Sequence, residues 1–335
     1  MLEFIIIGAI IGAGFASGKE IYIFFYKYGV EGFLGVTLCS ILIGILLYKI
    51  LKLIVEYEIK SYDDFLEIIF KNKFLKYSNK ILMNIFLLIS FFIMIAGFGT
   101  YLNQEYEINY IIGTSILSII CFLVFLKGED GVNKVSTALV PILIIFIVII
   151  GVTNFKNINE FKNILDISNT KSNLYNNWMT QSIIYSSYNL ILLIPLLVNY
   201  YNKLDRKNII RISIVTGIAI FILLNSIFWI LSITKSNIIT IEMPAIYIIG
   251  KEYSSLKRIY GIVILLSIIT TAISEGLGFI EAQKTSKKKI WKVSLIICFF
   301  GVIVSKMGFS TLVKVLYPAI GFWGLIQMFY ICRKE

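Results

Sequence analysis

The sequence predicts an all-α integral membrane protein with about ten transmembrane helices in a single domain, residues 1–335. Three observations predict this class: 58% of the residues are hydrophobic, the mean hydropathy is +0.85, and 15% of the residues are charged. A soluble domain carries about a quarter charged residues and cannot bury this much apolar surface. The apolar residues also occur in runs of about 20, the length that an α-helix needs to cross a bilayer.

These runs place the crossings along the chain, five on each side of the polar stretch 154–177. We predict them at residues 4–26, 32–53, 81–102, 108–126, 135–152, 178–198, 212–233, 259–280, 290–304 and 312–331. Because five is odd, the second set enters the membrane from the opposite side. That is the geometry of a 5+5 inverted repeat, with repeats at about 1–155 and 174–335.

A helix-like insert lies between the second and third crossings of each half, at 61–74 and 241–253. The first insert begins with the capping pattern Ser61-x-x-Asp64. Matched inserts favour the inverted repeat, although amphipathic linkers are also common in membrane proteins.

The charged segments between the runs predict the orientation in the membrane. An even number of crossings puts both termini on one side, and the basic segments 71–80, 203–211 and 284–289 lie on that side. The opposite loop 103–109 contains Glu105 and Glu107 and no lysine or arginine. The positive-inside rule therefore places both termini in the cytoplasm. It also accounts for the net charge of +11 without a nucleic-acid partner.

Several kinds of chemistry are excluded by composition. The chain has no histidine, so histidine bases and metal ligands are absent. The four cysteines have no paired spacing and suggest neither a disulfide framework nor a zinc site. There is no phosphate-binding loop of the Gly-x-x-x-x-Gly-Lys-Ser/Thr type, and no nucleophile–base pair appears at the membrane midplane. We therefore predict that the protein is neither an enzyme nor directly driven by ATP.

The most informative segment is 8–20, which reads GAIIGAGFASGKE in the middle of the first crossing. Glycine weakens a helix by about 1 kcal/mol per position, and a charge at the bilayer centre costs about 2.5–3.5 kcal/mol. We predict a broken helix, with a first half to about Ile11, an unwound stretch 12–18 and a second half from about Lys19. Close helix packing is the alternative, because Gly8/Gly12 and Gly14/Gly18 have the small-x-x-x-small spacing.

The corresponding crossing of the second half is also polar in its middle. Residues 185–189 read YSSYN and Pro195 follows, a pattern that predicts a broken sixth helix. The alternative is a continuous helix whose serine and asparagine side chains form hydrogen bonds to neighbouring helices. Half-helix ends inside the protein bind cations at carbonyls and anions at N–H groups. The predicted substrate-binding residues are Gly12, Ala13, Gly14, Phe15, Ala16, Ser17, Gly18, Tyr185, Ser186, Ser187, Tyr188 and Asn189.

Two further groups of residues bear on coupling. In the eighth crossing, Thr270, Thr271 and Ser274 offer hydroxyl oxygens for a small cation, although such hydroxyls more often bond back to the preceding turn. Glu275 follows, and two interpretations are open: a proton-coupling carboxylate, or a residue of the cytoplasmic rim, which we favour. We predict that Glu20 is the intramembrane carboxylate that couples protons or pairs with Lys19.

The run 12–20, followed by Phe24, Phe25 and Gly29, resembles the opening signature of the YkvI-like bacterial membrane proteins, a family akin to the amino acid-polyamine-organocation superfamily. The segments 132–135 and 188–189 support the resemblance. It implies a LeuT-like fold, in which the first, second, sixth and seventh crossings rock against a scaffold. By position it implies a sodium site at the carbonyls of Gly12 and Phe15 with Thr270, Thr271 and Ser274, a site that proton-coupled relatives lack.

The predicted function is secondary active transport of a small solute by alternating access in a bacterial cytoplasmic membrane. The solute that suits two half-helix ends is an amino acid or related zwitterion, coupled to a sodium or proton gradient. The alternative is a receptor or sensor that binds a small molecule with the same fold and does not transport it. We expect lipid and solute as partners, no obligate protein partner, and no cofactor apart from a sodium ion.

Overall fold

The computed structural model describes residues 2–154, 164, 177–233, 240–252, 254–283 and 289–334. The described residues form α-helices joined by short 3-10 turns and loops, and contain no strand. The helices of the first half are α1 (Leu2–Ile10), α2 (Ala13–Ala16), α3 (Lys19–Phe24), α4 (Val30–Glu56), α5 (Tyr62–Ile69), α6 (Lys73–Tyr106), α7 (Tyr110–Phe125) and α8 (Gly128–Asn154). Those of the second half are α9 (Trp178–Asn199), α10 (Arg206–Ser232), α11 (Pro244–Glu252), α12 (Ser254–Ala282), α13 (Ile290–Val304) and α14 (Phe309–Cys332).

The prediction of a polytopic helical membrane protein is confirmed. Among the described residues, seven helices are long and apolar enough to cross a membrane: α4, α6, α9, α10, α12, α13 with its extension to Met307, and α14. Two shorter apolar stretches are Tyr110–Phe125 and Thr137–Gly151. Large apolar side chains on the outside of the bundle, such as Ile119 and Phe299, are exposed as lipid-facing residues are. The count of ten crossings stays a prediction.

The first crossing is divided into three short helices. Ile11 and Gly12 separate α1 from α2, and Gly18 has the left-handed φ of +78° at the start of α3. The stretch 12–18 was predicted to be unwound, but it contains the helical turn α2. The backbone N–H groups of Ala16 and Ser17 close that turn by donating to the carbonyls of Gly12 and Ala13, at 3.0 and 2.9 Å.

The prediction that the sixth crossing is broken at 185–189 is wrong in this structure. Helix α9 is continuous from Trp178 to Asn199 and passes through Pro195. The polar side chains of Ser186 and Asn189 form hydrogen bonds within the helix. Ser186 Oγ donates to the Ser182 carbonyl at 2.8 Å, and Asn189 Nδ2 donates to the Tyr185 carbonyl at 3.0 Å. These bonds leave the helical backbone intact.

Both predicted inserts contain a helix. Ser61 caps α5 by accepting the backbone N–H of Asp64 at 3.2 Å, as the capping pattern predicts. Helix α11 lies against the divided first crossing, where the backbone N–H of Ala245 donates to the Ser17 carbonyl at 2.8 Å.

Both chain termini lie at one end of the bundle, which we call the terminal end. Glu3 pairs with Arg211 at 3.0 Å, and the ring of Tyr330 meets that of Phe70 at 4.9 Å. At the opposite end, the far end, Glu105 pairs with Lys257 at 2.8 Å. Two of the three basic segments therefore share the terminal end, whereas most of 284–289 and of the stretch 154–177 lies outside the described residues. The orientation in the membrane stays a prediction.

Close contact between α9 and α14 requires glycine at 321. A Cβ added to Gly321 would overlap the side chain of Ile184 and lie 2.7 Å from its carbonyl oxygen. We expect Gly321→Ala to lower the free energy of unfolding by about 1–3 kcal/mol, because the added methyl meets backbone that cannot move aside. Thermal unfolding in detergent measures this.

Gly278→Ala is the matched control, since its Cβ would meet Leu87 at the ordinary distance of 3.7 Å. Equal melting temperatures for both variants would contradict the packing argument.

Candidate functional site

The site is built around the carboxylate of Glu20, in the first turn of α3. Glu20 is 3% exposed, and its Oε2 accepts hydrogen bonds from the hydroxyls of Tyr188 at 2.5 Å and Tyr185 at 3.3 Å. Both tyrosines belong to α9, three residues apart and therefore on one face. The polar middle of α9 thus supplies the hydrogen-bond donors for a buried carboxylate of the first crossing.

Gly14 provides the space for this carboxylate. A Cβ at Gly14 would overlap Oε1 of Glu20 and lie 2.6 Å from its Cδ. The left-handed turn at Gly18 lets α3 follow α2 closely enough for Glu20 to fold back over α2. The two glycines therefore have separate purposes: Gly18 makes the turn, and Gly14 leaves room for the carboxylate.

Aromatic rings surround the buried carboxylate. The rings of Phe24 and Phe25 meet Tyr185 edge-on at 5.2 and 5.0 Å, and Tyr188 stacks on Tyr317 of α14 at 4.8 Å. These contacts fix the two hydroxyls that bond Glu20. Tyr317 has no counterpart among the predicted site residues, because a tyrosine beside a proline in an apolar run carries no signal of its role.

Helix α12 holds the break between α1 and α2. Thr271 Oγ1 lies 3.0 Å from the Gly8 carbonyl oxygen and 3.1 Å from that of Ile11. The carbonyls of Gly12 and Phe15, which the resemblance implied as sodium ligands, accept the N–H groups of Ala16 and Gly18. The structure therefore brings a different set of oxygens together: Gly8 O, Ile11 O and Thr271 Oγ1.

The other two predicted hydroxyls bond back to their own helix. Thr270 Oγ1 donates to the carbonyls of Leu266 and Ser267, both at 3.0 Å, and Ser274 Oγ donates to the Thr270 carbonyl at 3.0 Å. Ser274 also lines a cavity, described next, whereas Thr270 does not.

A narrow cavity of about 30 Å³, the central cavity, lies between α1, α3, α6, α9, α12 and α14. Its polar lining includes Glu20, Asn189, Thr271, Ser274 and Glu275. A cavity needs about 10–15 Å³ to hold one water molecule, so this one holds a few small atoms. A solute of amino-acid size requires the walls to move apart.

Glu275 lies elsewhere than predicted. We expected it at the cytoplasmic rim, but it is 8% exposed and lines the central cavity. Helix α12 continues to Ala282, which puts Glu275 about 10 Å inside the helix end at 1.5 Å per residue. Ser90 of α6 donates to its Oε1 at 2.6 Å, and Oε2 has no hydrogen-bond partner among the described residues.

The twelve predicted substrate-binding residues fall into three groups according to what they contact. Gly12, Tyr188 and Asn189 line the central cavity, and Gly14 and Tyr185 contact Glu20. The remainder pack helices: they are Ala13, Phe15, Ala16, Ser17, Gly18, Ser186 and Ser187. The clearest examples are the Ala16 carbonyl, which accepts the Tyr260 hydroxyl at 2.6 Å, and Ser186, whose hydroxyl lies 3.3 Å from Cys39 Sγ.

Lys19 has a partner other than Glu20. Its Nζ donates to the Ile241 carbonyl at 2.7 Å, and the charges of Glu242 and Lys314 act on it. Glu242 in turn accepts the backbone N–H of Ser310 at 2.9 Å. Lys19 therefore fastens the first crossing to the far end of the molecule.

The two ends of the site differ. At the far end, α11 and Tyr260 bond directly to the backbone of residues 16 and 17 and cover the break. Toward the terminal end, a second cavity of about 120 Å³ is lined by Asp63, Lys80 and Glu281 and shares Pro195 and Gly278 with the central cavity. The site is thus closed on the far side and adjoins this polar cavity, the vestibule, on the terminal side.

The fit between Gly14 and Glu20 can be tested by a double-mutant cycle. We expect Gly14→Ala to lower the free energy of unfolding by about 1–3 kcal/mol, because the methyl displaces a buried, hydrogen-bonded carboxylate. In a Glu20→Ala background the same substitution should cost much less, since the carboxylate is gone. Thermal unfolding of the four proteins measures the coupling, and additive effects would contradict it.

The comparisons with known proteins agree with this fold. No family model matches the chain. The uncharacterized membrane protein YkvI of Bacillus subtilis is 25% identical over 339 aligned positions, which cover 99% of this chain and 95% of YkvI. The uncharacterized protein YyaD of the same organism is 25% identical, with 96% and 92% covered.

Two solved transporters have a similar structure. A manganese transporter of Eremococcus coleocola, in a mutant form, matches with a TM-score of 0.67 and 12% identity, over 98% of this chain and 78% of the transporter. Mhp1, a nucleobase-cation-symport-1 family transporter in a closed conformation, matches with a TM-score of 0.59 and 11% identity, over 97% and 74%. The resemblance predicted from the motif at 12–20 is confirmed: the chain is similar to YkvI over nearly its whole length, and its fold is LeuT-like.

Proposed function

We propose that this protein is a secondary active transporter that moves a small solute across the membrane by alternating access. The observation that carries the proposal is the central cavity, which lies at a break in the first crossing, closed toward the far end and adjoining the vestibule at the terminal end. Binding between discontinuous helix ends near the midplane is the arrangement that secondary transporters use. The similarity in fold to a manganese transporter and to Mhp1 supports the same class.

The proposed solute is an amino acid or related zwitterion. Glu20 offers a carboxylate to an ammonium group. At the break, the backbone N–H of Ala13 donates to Met94 Sδ at 3.3 Å, and a thioether is a weak acceptor. A solute carboxylate is a stronger acceptor for that N–H group, next to Gly12 on the cavity wall.

Two sites are proposed for coupling. Glu20, buried and held by two tyrosine hydroxyls, is the proposed proton-coupling carboxylate. The carbonyl oxygens of Gly8 and Ile11 both lie within hydrogen-bond distance of Thr271 Oγ1. These three oxygens are the proposed position for sodium, a hard cation that takes oxygen ligands.

We also propose that the terminal end faces the cytoplasm of a bacterial cell and that the two halves, about 1–155 and 174–335, form an inverted repeat. The basic segments at the terminal end support this orientation through the positive-inside rule. The vestibule then lies on the cytoplasmic side, and the contacts of α11 and Lys19 close the outer side.

The test is counterflow in proteoliposomes. Vesicles preloaded with one amino acid or amine are diluted into a trace of the same labelled solute, and uptake is measured in sodium and choline buffers at two pH values. A transporter accumulates label transiently in protein-containing vesicles only. We expect Glu20→Gln to abolish accumulation while leaving the melting temperature nearly unchanged, because glutamine keeps the shape and loses the charge.

Each result is decisive for a different part of the proposal. Saturable binding without counterflow for any bound solute would indicate a receptor. Unchanged uptake by Glu20→Gln at both pH values would remove Glu20 from coupling. Glu252→Gln, at an exposed position of α11, is the matched control and should transport normally.

The proposed sodium position predicts the behaviour of Thr271→Val. Valine has the shape of threonine and lacks the oxygen, so we expect the stimulation of counterflow by sodium to fall about tenfold or more, whereas Thr271→Ser keeps it. Uptake is measured against sodium concentration, with choline replacing sodium. Sodium dependence that survives in Thr271→Val would place the ion elsewhere.

A further inference from the structure

The central cavity brings two carboxylates together without a basic side chain to balance them. Glu20 and Glu275 both line it, 3% and 8% exposed, and the charge of Glu20 acts on Glu275. No lysine or arginine is among its lining residues in the part of the chain that the structure describes. Burying an ionised carboxylate away from water is unfavourable unless a partner compensates its charge. The cavity is therefore arranged to receive positive charge.

Glu275 is not explained by helix packing. Its Oε1 accepts the hydroxyl of Ser90 at 2.6 Å, whereas Oε2 has no hydrogen-bond partner among the described residues. Glu20 differs, since two tyrosines bond its Oε2. A carboxylate oxygen that is buried, unpartnered and on a cavity wall is short of a donor, and such groups call for a functional explanation.

The remaining lining groups suit an ammonium group. An ammonium has three N–H donors and no acceptor, so it needs oxygen acceptors and tolerates aromatic faces. The cavity provides oxygen acceptors in Ser274 and Asn189, and the rings of Tyr188 and Tyr317, stacked on each other at 4.8 Å, also line its wall.

A transition-metal ion is a less suitable occupant. Within the described ranges, no three or more carboxylate, thiol or imidazole side chains come together as a set of metal ligands. Transition metals are usually held by such sets, and two carboxylates alone do not make one.

We propose that Glu20 and Glu275 together form a cation site that holds the ammonium group of the transported solute, with Glu275 Oε2 as an acceptor that no described protein group occupies. The proposal rests on the proposed function for the identity of the solute, but binding at the two carboxylates is a separate property. The proposal also assigns a different binding region to each end of a zwitterionic solute. The ammonium group binds toward α12, and a carboxylate group binds the backbone N–H groups at the break.

The experiment measures binding to the purified full-length chain in lipid nanodiscs by isothermal titration. The probes are n-butylamine, which carries only an ammonium group, butyrate, which carries only a carboxylate, and manganese(II). We expect saturable binding of butylamine and none of butyrate. Glu275→Gln should weaken butylamine binding by about tenfold or more, since it removes one charge of a buried pair, and Glu252→Gln should bind as the natural protein does.

The outcomes either support or overturn the proposal. Butylamine binding that is equal in Glu275→Gln overturns the role of Glu275, and binding of manganese(II) with no binding of butylamine overturns the ammonium assignment. If Glu275→Gln does not fold, modification of the natural protein by a carbodiimide gives the second measurement. The protecting probe is then N,N-dimethylbutylamine, a tertiary amine that cannot form an amide with the activated carboxyl, and the neutral control is butanol. Peptide mass spectrometry should show that the amine slows modification of Glu275 and butanol does not, and equal rates overturn the proposal.

Failure here is distinguishable from failure of transport. If amine binding depends on Glu275 but the vesicles show no counterflow, the cation site is supported and the proposed transport function is contradicted. If Glu275→Gln does not affect counterflow, the proposed transport function is supported and the cation site is contradicted.

Discussion

Burial of the Glu20 carboxylate in the middle of the first crossing is the constraint on which the rest of the site depends. A charge at the bilayer centre costs about 2.5–3.5 kcal/mol on insertion scales, so donors and space must be supplied from within the protein. The hydroxyls of Tyr185 and Tyr188 supply the donors, and Gly14 supplies the space. Three features of the fold position this carboxylate and its donors: the division of the first crossing, the polar face of α9 and the aromatic packing against α14.

Helix α12 completes the arrangement from the other side. Thr271 bonds the carbonyls that the break leaves at the end of α1, and Glu275, one turn further along the same helix, lines the cavity. A shift of α12 relative to α1 would therefore alter a backbone contact and the distance between two carboxylates together. If the proposed sodium position and solute site are occupied, that linkage is a physical route by which the ion affects solute binding.

The far end of the site is closed by hydrogen bonds, whereas the terminal end adjoins a cavity. Backbone and side-chain bonds from α11, Tyr260 and Ile241 close the far end over residues 16–19, whereas the terminal side has the polar vestibule next to Pro195. In the proposed transport cycle, these bonds at the far end would be exchanged for new contacts around the vestibule.

The sequence by itself determined the class of protein, the helical runs and the special nature of the first crossing. Apolar run length and the cost of glycine and charge in lipid are local properties, so residues 8–20 predicted an interrupted helix without any knowledge of neighbours. The same reasoning failed at 185–189, because the polar side chains of Ser186 and Asn189 bond back to their own helix, and sequence does not distinguish this from a break. Depth along α12 was also misjudged, since the position of Glu275 depends on how far that helix continues.

Only the tertiary structure decided which residues meet. Glu20 is bonded by tyrosines about 165 positions away, and Glu275 by a serine about 185 positions away. Such pairings depend on which faces of α6, α9, α12 and α14 turn toward the first crossing, and packing of the whole bundle sets those faces. A single buried carboxylate can be recognised from sequence because its cost is local, whereas a pair of carboxylates sharing one cavity is a property of the assembled fold alone.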